Sequence, residues 1–258
     1  MQAVILAGGL GTRLSEETHL KPKPMVEIGG KPILWHLLKS YSLYGINEFI
    51  ICCGYKGHII KEYFSNYLLY NSDITVSLES QNIKMHQTNI EPWKITLVDT
   101  GEKTQTAGRL LRVKDYITED LFCFTYGDGL SNVNINKLIE SHNKSKSTVT
   151  LTAVQPPGRF GSLEIDNNLV KNFVEKPKGD NSRINGGFFV VNSKVFKFIE
   201  GDDSSWEFNI LPELTQRIEL NSYSHDGFWQ PMDTLRDKNQ LEEIYKKGNS
   251  PWLKKIDD

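Results

Sequence analysis

Short apolar runs alternate, through the first half of the chain, with stretches whose apolar positions recur every three or four residues. Ala3-Val4-Ile5-Leu6, Phe49-Ile50-Ile51-Cys52-Cys53, Ile95-Thr96-Leu97-Val98 and Leu121-Phe122-Cys123-Phe124 have strand length and little polar alternation. That is the pattern of strands covered on both faces. Ile33, Leu34, Leu37, Leu38 and Tyr41 share one helical face, opened by Pro32 and stopped near Gly45. Ile59, Ile60, Tyr63 and Phe64 mark a second helix, and Leu110, Leu111 and Tyr116 a third. Ile74, Val76 and Leu78 alternate and predict one more strand, third in chain order. Strand–helix alternation of this kind predicts an α/β fold: a Rossmann-like, mixed but mostly parallel sheet flanked by helices.

The polar stretch Glu79 to Trp93 breaks the rhythm and reads as an inserted loop or small hairpin, placed to cover a site or a subunit contact. The second half is richer in strand signals, at Thr148–Val154, Ser162–Ile165, Leu169–Phe173 and Phe188–Val191. Short helices are expected at Phe196–Ile199 and Ile210–Ile218, and a last helix at Thr234–Lys246 before Gly248. No linker or repeat interrupts the chain, so the expectation is a single domain over 1–258 with a smaller β-rich subregion in its second half.

Composition narrows the function. With 258 residues, 38% hydrophobic and 24% charged, the chain can bury a sizeable core. A net charge of −2 supplies no basic excess, so nucleic acid is not an expected partner. No run reaches the roughly 18 apolar residues of a membrane span, and no secretory leader pattern is visible. The three cysteines cannot all pair; Cys52 and Cys53 point to opposite faces of their strand, and no Cys-x-x-Cys occurs. They read as buried thiols in a reducing cytoplasm.

The chemistry-bearing segment follows the first strand: Gly8-Gly9-Leu10-Gly11-Thr12-Arg13-Leu14, then Lys21-Pro22-Lys23-Pro24-Met25. Glycines let backbone N–H groups approach a phosphate chain, and Arg and Lys add positive charge to the same anion. It is neither a P-loop nor a full dinucleotide fingerprint. Asp128, between two glycines, is either a cation ligand on a tight turn or an ordinary Asp-Gly turn. Asp233 is either a second cation ligand or the N-cap of the last helix. The six histidines are scattered, and no nucleophilic side chain stands out.

Leu6-Ala7-Gly8-Gly9-Leu10-Gly11-Thr12-Arg13-Leu14 and Lys21-Pro22-Lys23-Pro24-Met25 together resemble the nucleotidyltransferases that make nucleotide sugars. Tyr126-Gly127-Asp128-Gly129, Glu175-Lys176-Pro177, Asn185-Gly186-Gly187-Phe188 and Trp229-Gln230-Pro231-Met232-Asp233-Thr234 follow in that family's order. The strings from Pro22 to His36, Ile51 to Gly57, Thr100 to Leu110 and Pro156 to Gly161 are similar to members acting on CTP and glucose 1-phosphate. The resemblance implies a nucleotide side in 1–130 and a sugar-phosphate side in 131–258. It implies nucleotide contacts from Leu6 to Arg13, Lys23, Thr104, Arg109 and Gly127, with Arg13 on the leaving pyrophosphate and Lys23 near the α-phosphate. Asp128 and Asp233 would share Mg²⁺, so Arg13, Lys23 and Asp128 form the expected catalytic set. Glu175, Lys176, Asn185 and Gly187 would meet the sugar phosphate. For Arg109, a first-turn residue on a solvent face is the competing reading.

The reaction so implied is cytidylyl transfer giving CDP-glucose and pyrophosphate, in a homo-oligomer (a hexamer or another multimer) that feeds dideoxysugars into O-antigen and lipopolysaccharide. UTP or dTTP as the nucleotide is the nearest alternative. A non-catalytic nucleotide-sensing homologue is the other, and it would have had licence to lose Arg13, Lys23, Asp128 or Asp233.

Overall fold

The computed structural model describes residues 1–11, 14, 18–88, 90–156, 162–166, 169–174 and 182–256. Seven strands form one sheet: β1 (Gln2–Ala7), β2 (Glu48–Cys53), β3 (Lys94–Asp99), β4 (Leu121–Tyr126), β5 (Val149–Val154), β6 (Ile184–Asn192) and β7 (Leu220–His225). Their spatial order is β7-β5-β6-β4-β1-β2-β3. All neighbours are parallel except β6, which runs against both β4 and β5. This is the expected mixed, mostly parallel sheet. Because β4 from the first half pairs with β6 from the second, both halves of the chain share it.

The apolar runs explain the layering. Ala3, Ile5 and Ala7 of β1 turn to one face, where they meet Leu34, Leu37, Leu38 and Tyr41 of α1 (Ile33–Ser42). Val4 and Leu6 turn to the other, against Ala107 and Leu110 of α2 (Thr106–Arg112), with Trp206 and Leu214 beyond. In β2, Cys53 joins the first cluster and Cys52 the second, so the two thiols do lie on opposite faces. All three cysteines are free and buried, and burial pushes the Cys53 thiol up to about 11.

The strand expected at Ile74, Val76 and Leu78 is not part of this sheet. Ser72–Ser77 pairs instead with Asn82–Thr88 in a separate antiparallel hairpin. The alternation was real, but the apolar side chains stay outside: Leu78 is 85% exposed and Val76 50%. The inserted stretch therefore begins earlier than Glu79. Ser162–Asp166 and Leu169–Val174 form another separate hairpin. Beyond the expected elements come α3 (Ile135–Ser145), capped by Asn134, and the edge strand β7. The last helix, α4 (Leu235–Lys246), starts one residue after its expected first residue, Thr234.

Candidate active site

In an open parallel sheet, ligands bind beyond the carboxyl ends of the strands. Here β1, β2, β3 and β4 end together at Ala7, Cys53, Asp99 and Tyr126. Reversed β6 brings its beginning, Asn185-Gly186-Gly187, to that same edge. Between them opens a cavity of about 1040 Å³. Leu6 to Gly11, Lys23, Thr104, Arg109, Gly127, Asp128, Asn185, Gly187 and Asp233 all line it. Thr12, Arg13, Glu175 and Lys176, the remaining expected site residues, lie outside the described residues.

A short strand pairing builds the charged centre. Gly129–Ser131 pairs antiparallel with Trp229–Pro231, and the Met232 amide donates to the Asp128 carbonyl at 2.8 Å. Two acids more than a hundred residues apart in sequence thus become neighbours. Lys23, carried by the tight turn Lys23–Met25, donates its ammonium to Asp128 Oδ2 and to Asp233 Oδ1, each at 2.7 Å. Both carboxylate oxygens therefore lie within twice that distance of each other. Burial alone would push the Lys23 ammonium down; the charges and hydrogen bonds of Asp128 and Asp233 outweigh it and hold it above the ordinary lysine value. The two acids converge on one cation position with hard oxygen donors. That fits a Mg²⁺ held by one or two carboxylates and completed by substrate phosphate.

Asp233 is not the N-cap of α4. Thr234 is: its Oγ1 accepts from the Asp237 amide at 3.2 Å, and Asp237 Oδ2 accepts from the Thr234 amide at 2.9 Å, a reciprocal capping box. The Asp233 amide also donates to Asp237, at 3.1 Å, while its carboxylate points to Lys23.

Arg109 does not face solvent, although it stands in the first turn of α2; it is 5% exposed. Its guanidinium donates to the Gly101 carbonyl at 2.6 Å, Thr100 Oγ1 at 2.9 Å and the Glu102 carbonyl at 3.1 Å. Burial pulls its pKa below the usual arginine value. The same group explains Gly8: a Cβ there would stand 2.1 Å from Arg109 Nη1. A Cβ on Gly9 would meet nothing within 4 Å. Only Gly9 has the open approach expected of both glycines; Gly8 is small because the protein's own arginine lies against it. Glu207, Trp229 and Thr106 also line the cavity and were missed by sequence reasoning. Nothing in their spacing announces them, although Trp229 opens the segment Trp229-Gln230-Pro231-Met232-Asp233-Thr234.

A glycine-rich turn after the first strand, with cationic and carboxylate groups from distant segments on one cavity, marks an α/β transferase that handles phosphate esters. The chain belongs to the nucleotidyl transferase family, whose model matches residues 2–236. It is 56% identical to glucose-1-phosphate cytidylyltransferase of Salmonella typhi over 98% of both chains. It is 43% identical to a probable glucose-1-phosphate cytidylyltransferase of Bacillus subtilis, over 98% of this chain and 99% of that one. The crystal structure of HddC from Yersinia pseudotuberculosis matches with a TM-score of 0.69 at 26% identity, covering 95% of this chain and 99% of that one. The form of HddC complexed with GMP-PN gives the same score.

Proposed function

We propose that this protein transfers the cytidylyl group of CTP to α-D-glucose 1-phosphate, giving CDP-glucose and pyrophosphate. The observation that carries the chemistry is the convergence of Lys23, Asp128 and Asp233 on one cavity with the glycine-rich turn. The choice of substrates is supported by the named activity of the relatives of 56% and 43% identity.

In this reading a phosphate oxygen of the sugar ester attacks the α-phosphorus in line. The bond from that phosphorus to the bridging oxygen breaks, and pyrophosphate leaves with the electron pair. No covalent enzyme intermediate is required; positioning and charge neutralisation carry the rate. Lys23 stays protonated and offers its charge to the α-phosphate. The open backbone at Gly9 admits the phosphate chain, and Arg13 grips the departing pyrophosphate. Thr104 and Arg109 border the nucleotide, with Arg109 shaping the Thr100–Glu102 turn around it. Asn185 and Gly187, with Glu175 and Lys176, take the sugar phosphate. Asp128 and Asp233 would hold Mg²⁺, which when bound neutralises phosphate oxygens as charge builds in the transition state.

We further assign the protein to the cytoplasm and to a homo-oligomer, in support of surface-polysaccharide dideoxysugar synthesis. Among the described residues no helix is long and apolar enough to cross a membrane. The exposed apolar residues of the hairpin Ser72–Thr88, among them Val76, Leu78 and Ile83, favour contact between copies of the chain. Light scattering of wild type against Leu78→Lys tests that contact.

Pyrophosphate release measured with CTP, UTP, dTTP and GTP, each with glucose 1-phosphate, tests the central reading. CTP should dominate; equal rates with UTP or dTTP would remove the cytidine assignment. Asp128→Asn should abolish release while leaving the fold near wild type.

A further inference from the structure

Glu207 lies on a turn of unusual geometry. Trp206–Ile210 forms a π turn, a wide form that is rare and recurs at functional positions. Its second residue, Glu207, is half-buried and lines the cavity. One carboxylate oxygen accepts from Tyr126 Oη at 2.6 Å. The other accepts from Thr106 Oγ1 at 2.7 Å and from Ser205 Oγ at 3.0 Å. Thr106 opens α2, the helix that carries Arg109, and its hydroxyl accepts from the Trp206 amide at 2.7 Å. On the other side, Tyr126 Oη accepts from Asn185 Nδ2 at 3.3 Å, and Asn185 Oδ1 accepts from the Gly187 amide at 2.9 Å.

The donor and acceptor inventory fixes the direction of this chain. A phenol has one proton to donate, and here it is directed at the Glu207 carboxylate. Tyr126 is then left only as an acceptor towards Asn185, so the Asn185 amide must present its NH₂ to the ring oxygen and its carbonyl to Gly187. Gly187 sits at φ +78°, and a Cβ there would stand 2.6 Å from the Tyr126 ring, so this corner is packed to one arrangement. The second N–H of Asn185 is thereby aimed by a residue twenty-two positions later in the chain.

We propose that Glu207 is a positioning residue for the sugar phosphate. Through Tyr126 it sets the orientation of the Asn185 amide, while Thr106 and Ser205 hold its other oxygen in place. The inference rests on the cytidylyl-transfer reading above.

Glu207→Gln keeps size but leaves one acceptor oxygen for three donors. When its NH₂ faces Tyr126, the phenol turns its proton towards Asn185, whose amide must then flip and put its NH₂ against the Gly187 N–H. Glu207→Gln should raise KM for glucose 1-phosphate about tenfold, the scale of one hydrogen bond lost to a buried partner. KM for CTP should stay within about twofold, since the Arg109 contacts do not pass through the carboxylate. Tyr126→Phe should give the same split, and the double variant should be no worse than the poorer single one. Independent contributions would instead multiply to about a hundredfold.

Unchanged KM for the sugar phosphate, an equal rise for both substrates, or a multiplicative double variant would overturn the proposal. Tyr126→Phe decides it should Glu207→Gln fail to fold. Wild-type enzyme forming no CDP-glucose would remove the parent reading and this one with it. Wild-type turnover with unsplit variants would sink this inference alone.

Discussion

Replacing Lys23 by Met removes one ammonium and leaves two carboxylates facing each other. The side chain of Lys23 is 8% exposed, that of Asp233 16% and that of Asp128 35%. Breaking a buried pair by removing one partner costs about 3–5 kcal/mol, and the partial exposure of Asp128 discounts that towards about 3 kcal/mol. For a chain of this size the loss corresponds to a fall in Tm of roughly 6–12 °C. The deficit should shrink as pH is lowered, because one of two crowded carboxylates takes up a proton. It should also shrink with Mg²⁺, by about 1.4 kcal/mol at ten times the Kd of the vacated pair. Wild-type protein should respond less to Mg²⁺ alone, since its own ammonium must first be displaced. Turnover should fall by about 10²–10³-fold, the scale of losing one charge-stabilising donor. Scanning calorimetry in EDTA and in MgCl₂, at two pH values, reads all of this except turnover. A variant that melts within 2 °C of wild type in EDTA and ignores Mg²⁺ would show that the two acids do not form a shared cation site.

Gly8→Ala should push the Arg109 guanidinium off the Thr100, Gly101 and Glu102 acceptors, cost about 1–3 kcal/mol in stability and raise KM for CTP more than for the sugar phosphate. An unchanged urea midpoint would refute the packing argument. Burial lowers the pKa of His36, His142 and His225, so the native state holds these rings neutral while the unfolded chain protonates them near 6.5. Their stabilisation is complete above that value and is lost as pH falls towards their native pKa values, by up to about 1.4 kcal/mol per pH unit for each ring. Urea unfolding at pH 7.5 and 5.5 checks this, and a flat profile would contradict it.

The strands covered on both faces were legible because nearly every position in them must be apolar: β1 through Val4, Ile5 and Leu6, β2 through Ile50 and Ile51. β7 escaped because polar Asn221, Ser222 and Ser224 run along it, whereas β3, the other edge strand, keeps the apolar run Ile95-Thr96-Leu97-Val98. α3 escaped because its buried stripe is only Ile135, Leu138 and His142, too few apolar residues to show a period. The hairpin Ser72–Thr88 misled because alternation reports two unlike faces and not which sheet they belong to. At the site, Asp128 and Asp233 stood out through their motifs, but their common partner Lys23 depended on two pairings far apart in sequence. Glu207 gave no signal, since a Glu opening a helix is what capping preference alone would place there.

The reversal of β6 has a consequence for how this architecture can diversify. Val154, closing β5, is paired with Ile184, opening β6, so the chain leaves the sheet and rejoins it at facing positions. The segment between those two positions, already clamped by the ladder, carries Ser162–Asp166 and Leu169–Val174, a pair outside the seven-stranded sheet. Its length and composition can be rewritten without shifting the register of any of the seven strands. A recombinant that exchanges this segment between relatives would therefore be expected to fold on an unaltered nucleotide half, which melting the recombinant against both parents would check.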